Sequence, residues 1–144
     1  MQFGLDDTIV ASASAPGGAA RGIVRVSGSA AHEICRRCFS IAESGREGRR
    51  TLPARGPACI LSGVVVVDGA DIPAALHWRP TMRTYTRQPL AEFHLPGSPP
   101  LLQAVVDALC QAGARPARPG EFTLRAFLAG RIDLTQAEAV LGVI

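Results

Sequence analysis

The sequence predicts an α/β domain of the α+β kind, in which one mixed or antiparallel sheet carries helices packed on it. Three observations predict it. Short β-branched runs, such as GIVRV (22–26) and ILSGVVVV (60–67), alternate with turn residues. Two stretches, 30–39 and 99–112, carry apolar residues at helical spacing. The chain has 144 residues, 47% apolar and 19% charged, which suits a single globular domain. A chain of this size buries roughly two-thirds of its unfolded surface, so a real core is expected.

The elements follow in order. Residues 8–15 (TIVASASA) open with β-branched side chains and read as a strand. Pro16-Gly17-Gly18 is a turn. The strand 22–26 places Ile23 and Arg25 on one face and Val24 and Val26 on the other. An arginine between valines has two readings: a solvated residue on an edge strand, or a cation held in a cleft for an anion or polar ring. Ser27-Gly28-Ser29 is expected to cap a helix running to Phe39, with Ala31, Ile34, Cys35 and Cys38 as its apolar stripe. His32 falls on its wet face, and Glu33 and Arg37 form a favourable i,i+4 pair.

Residues 42–57, with Arg46, Arg49, Arg50 and Arg55, read as a surface loop. Residues 59–79 read as a hairpin turning at Asp68-Gly69, with His77 and Trp78 near its end. Residues 80–89 form a loop. LAEFHL (90–95) reads as a strand with Glu92 and His94 on one face. A glutamate in a strand calls for solvent or a partner. Ser98 and Pro99 open a helix that Gly113 ends. After the Pro116 and Pro119 approach, Thr123 is expected to cap a short helix (124–129) stopped by Gly130. Thr135-Gln136-Ala137-Glu138 reads as a capping box for a last helix. Its stripe, Ala137, Val140, Leu141 and Ile144, is expected to fray or to bury against a second copy or neighbouring surface.

Charge and composition exclude several functions. All fifteen basic side chains are arginine, so a lysine nucleophile or a phosphate-binding P-loop lysine is excluded. GxGxxG, GxSxG and HExxH are missing, and the three histidines show no triad logic. The net charge of +3 is compatible with a nucleic-acid partner without arguing for one. Cys35 and Cys38 form a CxxC with no second pair, and their helical spacing reads as buried structural cysteines. No window offers the ~18 apolar residues of a membrane span. The acidic N-terminus is unlike a signal peptide, so a cytoplasmic location without membrane contact is expected.

DTIVASASAPGG (7–18), GIVRVSG (22–28) and ARPARPGEFTLRAFLAGRIDLTQAEAV (114–140) resemble the N-terminal domain of the MnmE/TrmE tRNA-modification GTPases. The resemblance spans nearly the whole chain. It implies residues 1–132 as a folate-binding and dimerisation domain, and residues 133–144 as the start of a helical domain. The fold implied is similar to that of folate-binding aminomethyltransferases. The ligand implied is 5-formyltetrahydrofolate or a related folate, with no metal. The partners implied are a second copy, an FAD-dependent protein of the MnmG/GidA type, and tRNA, whose wobble uridine the full-length family modifies at C5. The family's folate contacts carry over to Arg25 of the GI(V/L)R strand, Glu92 of the V(L/V)E(L/I) strand and Arg131 in place of a lysine. A pterin's amidine-like edge matches one carboxylate such as Glu92.

Departures from the pattern are Thr86-Arg87-Gln88-Pro89 for TGED, Pro96-Gly97-Ser98 for HGG, Ala129 for an asparagine, and 15–20 for PPGRGG. The GTPase domain has no counterpart here, so this chain alone is not expected to be catalytic. Two other readings stand beside this one. The first is a free-standing interaction module of the same fold with an eroded folate site. The second is a small basic RNA-binding protein, against which the scarcity of aromatic residues argues.

Overall fold

The computed structural model describes residues 4–42 and 51–142. In chain order the elements are β1 (Ile9–Ser12), β2 (Ala19–Ser27), α1 (Ala31–Cys38), β3 (Phe39–Ile41), β4 (Cys59–Val67) and β5 (Ala70–Arg79). They continue with β6 (Leu90–Gly97), α2 (Pro99–Gln111), β7 (Arg115–Pro116), α3 (Glu121–Leu128) and α4 (Leu134–Leu141). Among the described residues the strands form one seven-stranded sheet, ordered β3-β4-β5-β6-β2-β1-β7. Every pairing is antiparallel except β1 with β7, so the expected mixed α+β architecture is the observed one.

The hairpin β4–β5 forms as its turn residues dictate. Asp68 (φ 48) and Gly69 (φ 77) both take left-handed backbone, as a two-residue primed turn requires. Pro73 lies outside the part of β5 that β6 covers, where a strand tolerates the missing N–H.

Strand alternation then gives the sheet two different faces. Val24 and Val26 of β2, Leu76 and Trp78 of β5, and Ala91, Phe93 and Leu95 of β6 all point to one side. Ile34 and Cys35 of α1 and Leu102, Val105 and Leu109 of α2 bury them there. A fully buried side chain of this size stabilises the fold by about 1.5–3 kcal/mol. The other side carries Arg25, His77, Glu92 and His94, and the start of α3 lies over it.

Several local expectations are corrected. Arg25 is not on an edge, because β2 lies between β6 and β1. Ser27 belongs to β2, where its hydroxyl shares a 2.6 Å hydrogen bond with that of Thr86. The start of α1 is held instead by Thr8, whose Oγ1 accepts from the Ala30 N–H at 2.9 Å. His32 is half-buried, with Nε2 2.8 Å from the Leu52 carbonyl oxygen and its ring 6.0 Å from that of Trp78. Gly120, not Thr123, precedes the first turn of α3. Asp133 and Gln136 form the capping box of α4, two residues before the expected one. Phe39–Ile41 forms a strand that periodicity did not announce. The surface-loop reading of 42–57 falls partly outside the described residues.

Of the last helix's stripe, Ala137 is buried while Val140 and Leu141 remain 39% and 45% exposed. Ile144 lies outside the described residues. Cys35 and Cys38 are buried on α1 as read from the sequence, and burial pushes the Cys35 thiol far up from its ordinary value. Among the described residues no helix is long and apolar enough to cross a membrane.

Candidate functional site

Arg25 and Glu92 are cross-strand partners on β2 and β6. Their alternation puts both side chains on the face opposite the core. Arg25 Nη2 donates to Glu92 Oε2 at 3.2 Å, and the guanidinium carbon lies 5.6 Å from the Phe122 ring centroid. The pair forms the floor of a cavity of about 1030 Å³. The end of β1, Arg79, Tyr85, and residues 117–120 leading into α3 complete its walls.

The pair is unsaturated. Arg25 Nε is buried without a hydrogen-bond partner, and Glu92 Oε1 accepts no bond among the described residues. A guanidinium has five N–H donors and a carboxylate about four acceptor positions, so most of this capacity is unused. The arrangement can take a planar ligand that offers donors to Glu92 and an acceptor to Arg25.

The wall over this floor is held by a second charged cluster. Glu121 accepts from Arg115 Nη1 and Nη2 and from the Arg118 backbone N–H at 2.8 Å. Arg125 donates through Nη1 to the Asp7 carbonyl oxygen (2.6 Å) and Gln88 Oε1 (3.0 Å), and through Nη2 to the Gly4 carbonyl oxygen (3.2 Å). Arg125 and Glu121 lie 3.6 Å apart and are each only 3% exposed. Burial pushes the Glu121 carboxyl up, but the Arg115 hydrogen bonds and the Arg118 N–H outweigh it and hold the group below the usual carboxylate range.

Gly120 (φ 74) allows the sharp entry into α3, and a Cβ there would collide with the Leu141 side chain of α4. Tyr85 OH donates to Thr123 Oγ1 at 3.2 Å, tying the 80–89 loop to the same helix. Next to Glu92, His94 stacks on His77 with ring centroids 3.9 Å apart. Burial, then the neighbouring His77, pushes His94 below its ordinary value.

The structure therefore brings two of the three expected contacts together. Arg25 and Glu92 meet at the cavity floor, whereas Arg131 lies exposed beyond α3 and does not line the cavity. Of the positions that depart from the family pattern, Arg87–Pro89, Pro96–Ser98 and Ala129 do not line it either, whereas Ala15 and Pro16 of the 15–20 turn do. Gln88 instead braces Arg125. Sequence reasoning missed Arg79, Tyr85 and Phe122. Arg79 was within reach, since alternation along β5 puts it on the same face as His77, the register partner of Glu92.

These features define an α+β domain with a cavity on one sheet face whose floor is an arginine–glutamate pair. A family model described as the N-terminus of the GTP-binding protein TrmE matches residues 8–131, and the chain belongs to that family. It is 52% identical over 139 residues to the tRNA modification GTPase MnmE of Rhodopirellula baltica, covering 96% of this chain and 29% of that relative. The MnmE of Syntrophotalea carbinolica is 45% identical over the same shares, and that of Thermus thermophilus 43% identical over 97% of this chain and 31% of the relative. The chain thus spans less than a third of the length of these relatives, in the region of the family's N-terminal domain.

Proposed function

We propose that the cavity binds a reduced folate, 5-formyltetrahydrofolate, and that the chain is the folate-binding and dimerising part of a tRNA wobble-uridine modification GTPase. The observation that carries this reading is the unsaturated Arg25–Glu92 pair at the cavity floor. A pterin presents adjacent N–H donors that one carboxylate accepts in bidentate fashion, and a carbonyl that suits the spare Arg25 donors. The cavity volume of about 1030 Å³ lies at the upper end of the range for cofactor sites. The bound folate supplies the one-carbon unit. The chain's own residues bind and orient it. Arg131 lies outside the cavity and carries no part of the pterin contact in this reading.

Most altered family positions, those at Arg87–Pro89, Pro96–Ser98 and Ala129, lie off the cavity wall, which favours this reading over an interaction module with an eroded site, although Ala15 and Pro16 of the altered 15–20 turn do line the cavity. Dimerisation has its own support on the open part of the same sheet face. There Ile60 and Val66 are 66% and 42% exposed on the outward face of β4, with Ser62 and Val64 between them. The FAD-dependent MnmG-type protein and tRNA enter as partners of the full-length protein. Residues 133–144 fit the start of its helical unit, given the exposed Val140 and Leu141 on α4.

Calorimetric titration of 5-formyltetrahydrofolate tests the site. The wild type is expected to bind, and Glu92→Gln to weaken binding by about ten- to a hundredfold, the cost of losing a charge-assisted contact. Absence of heat with the wild type, or unchanged affinity in Glu92→Gln, would sink the folate reading. Sedimentation of Ile60→Asp, expected to be monomeric where the wild type is dimeric, tests the second half.

A further inference from the structure

A second concavity adjoins the first. Gly56, Pro57, Ala58, Arg79, Thr81 and Arg83 line an open space of about 430 Å³. Arg79 lines both spaces and so marks their common edge. It stands at the end of β5, opposite Leu90, two residues along the same face from the His77–Glu92 pairing. A route therefore runs along one sheet face from the Glu92 carboxylate to Arg79 and on to Arg83.

The chemistry of this space is that of an anion site. The Arg79 and Arg83 guanidiniums have no hydrogen-bond or ion-pair partner among the described residues. No carboxylate lines the space. Its walls are fixed by the fold. Trp78, beside Arg79, is buried and donates through Nε1 to the Pro53 carbonyl oxygen at 2.7 Å, which pins the 51–58 segment. His32 Nε2 lies 2.8 Å from the Leu52 carbonyl oxygen and pins it again. The Arg83 N–H donates to Thr81 Oγ1 at 3.3 Å, which holds the turn that carries Arg83. Two unpaired arginines on a preformed wall cost charge repulsion unless an anion joins them.

We propose that this space extends the folate site and takes the carboxylates of an oligo-γ-glutamyl tail, with Arg79 receiving the first and Arg83 the next. The proposal rests on the folate reading of the main cavity. It makes the polyglutamylated folate, not the monoglutamate, the preferred ligand. Continuity with the main cavity through Arg79, and the small volume of about 430 Å³, favour a ligand tail over an RNA backbone. A phosphate backbone requires an extended basic track.

The test compares the mono- and triglutamyl forms of 5-formyltetrahydrofolate by calorimetry on the wild type and on Arg83→Gln. Arg83 is exposed and lines only the second space, so the fold and the main cavity are expected to be intact, checked by circular dichroism. The wild type is expected to bind the triglutamate about fivefold more tightly, as partly exposed ion pairs permit. Arg83→Gln is expected to bring the two forms to within about twofold while leaving monoglutamate affinity unchanged. Added salt is expected to narrow the wild-type preference, because exposed charges are screened. Equal wild-type affinities overturn the extension and leave the folate reading standing. Binding of neither form removes both. If Arg83→Gln instead loses retention of tRNA on a filter while tail preference is absent, these arginines serve RNA and the proposal fails.

Discussion

Two arginine–glutamate clusters sit a few residues apart in space, on opposite sides of one cavity wall, and they are built differently. In the first, Arg125 and Glu121 are each 3% exposed, and the surrounding chain engages both Arg125 Nη atoms and both Glu121 oxygens, leaving only Arg125 Nε without a partner. In the second, Arg25 and Glu92 share a single 3.2 Å hydrogen bond and leave Nε and Oε1 unmatched. The residue types are the same. The difference lies in saturation. A closed cluster fixes the position of α3, and an open one above a cavity leaves its unused bonds for a ligand.

The largest test of that contrast falls on the closed cluster. Glu121→Ala leaves the Arg125 charge buried without its carboxylate, which costs about 3–5 kcal/mol of unfolding free energy. Urea denaturation measures it. A loss under about 1 kcal/mol would mean that solvent reaches this cluster as it reaches a surface pair, and the contrast would collapse.

Acid sharpens the same point with a smaller effect. The folded state holds Glu121 below the ordinary carboxylate range, so on acidification the unfolded chain takes up the proton first. Stability then rises with pH in that window. The Glu121 contribution is complete above the unfolded value near 4.5 and is lost as pH falls through the lower folded value. Thermal unfolding between pH 6 and pH 3 is expected to show this limb in the wild type and a shallower one in Glu121→Gln. His94 works in the same direction at a higher window. Its depressed value favours the neutral ring in the fold, so its contribution is full above about 6.5 and fades as pH falls through the folded value. His94→Gln is expected to flatten stability between pH 7 and pH 5.

Strands β1, β2, β4, β5 and β6 and helices α1 and α2 were legible because their signals are local. Asp68-Gly69 carries its own turn, and the Ala31, Ile34, Cys35, Cys38 spacing carries its own buried face. The caps were not, because capping motifs overlap. Thr135 and Asp133 each stand three residues before a Glu or Gln, and the aspartate won by accepting the Gln136 N–H at 2.7 Å. Thr123 was drawn away by Tyr85, a partner 38 residues distant that no local pattern reveals. The same limit governed the site. Strand alternation showed that Arg25 and Glu92 leave the core face, but the β2–β6 register that makes them partners across 67 residues is a product of the whole sheet. Arg131 followed from family resemblance alone, and the turn after α3 carries it away from the cavity.

The smallest effect is the most telling for the open cluster. Arg25 and Glu92 retain 31% and 19% side-chain exposure, and their one hydrogen bond competes with solvent. Glu92→Gln keeps the shape and an acceptor oxygen and removes the charge. Its expected cost in unfolding free energy is under about 1 kcal/mol, the range for a partly exposed pair. A residue kept for stability would show a loss comparable to that of Glu121→Ala. A near-neutral Glu92→Gln that has also lost its ligand would place the value of this carboxylate in binding. A loss of about 3 kcal/mol or more would make it a second structural brace. The open and closed clusters would then be two versions of one device, and the cavity floor would need another group to hold its ligand.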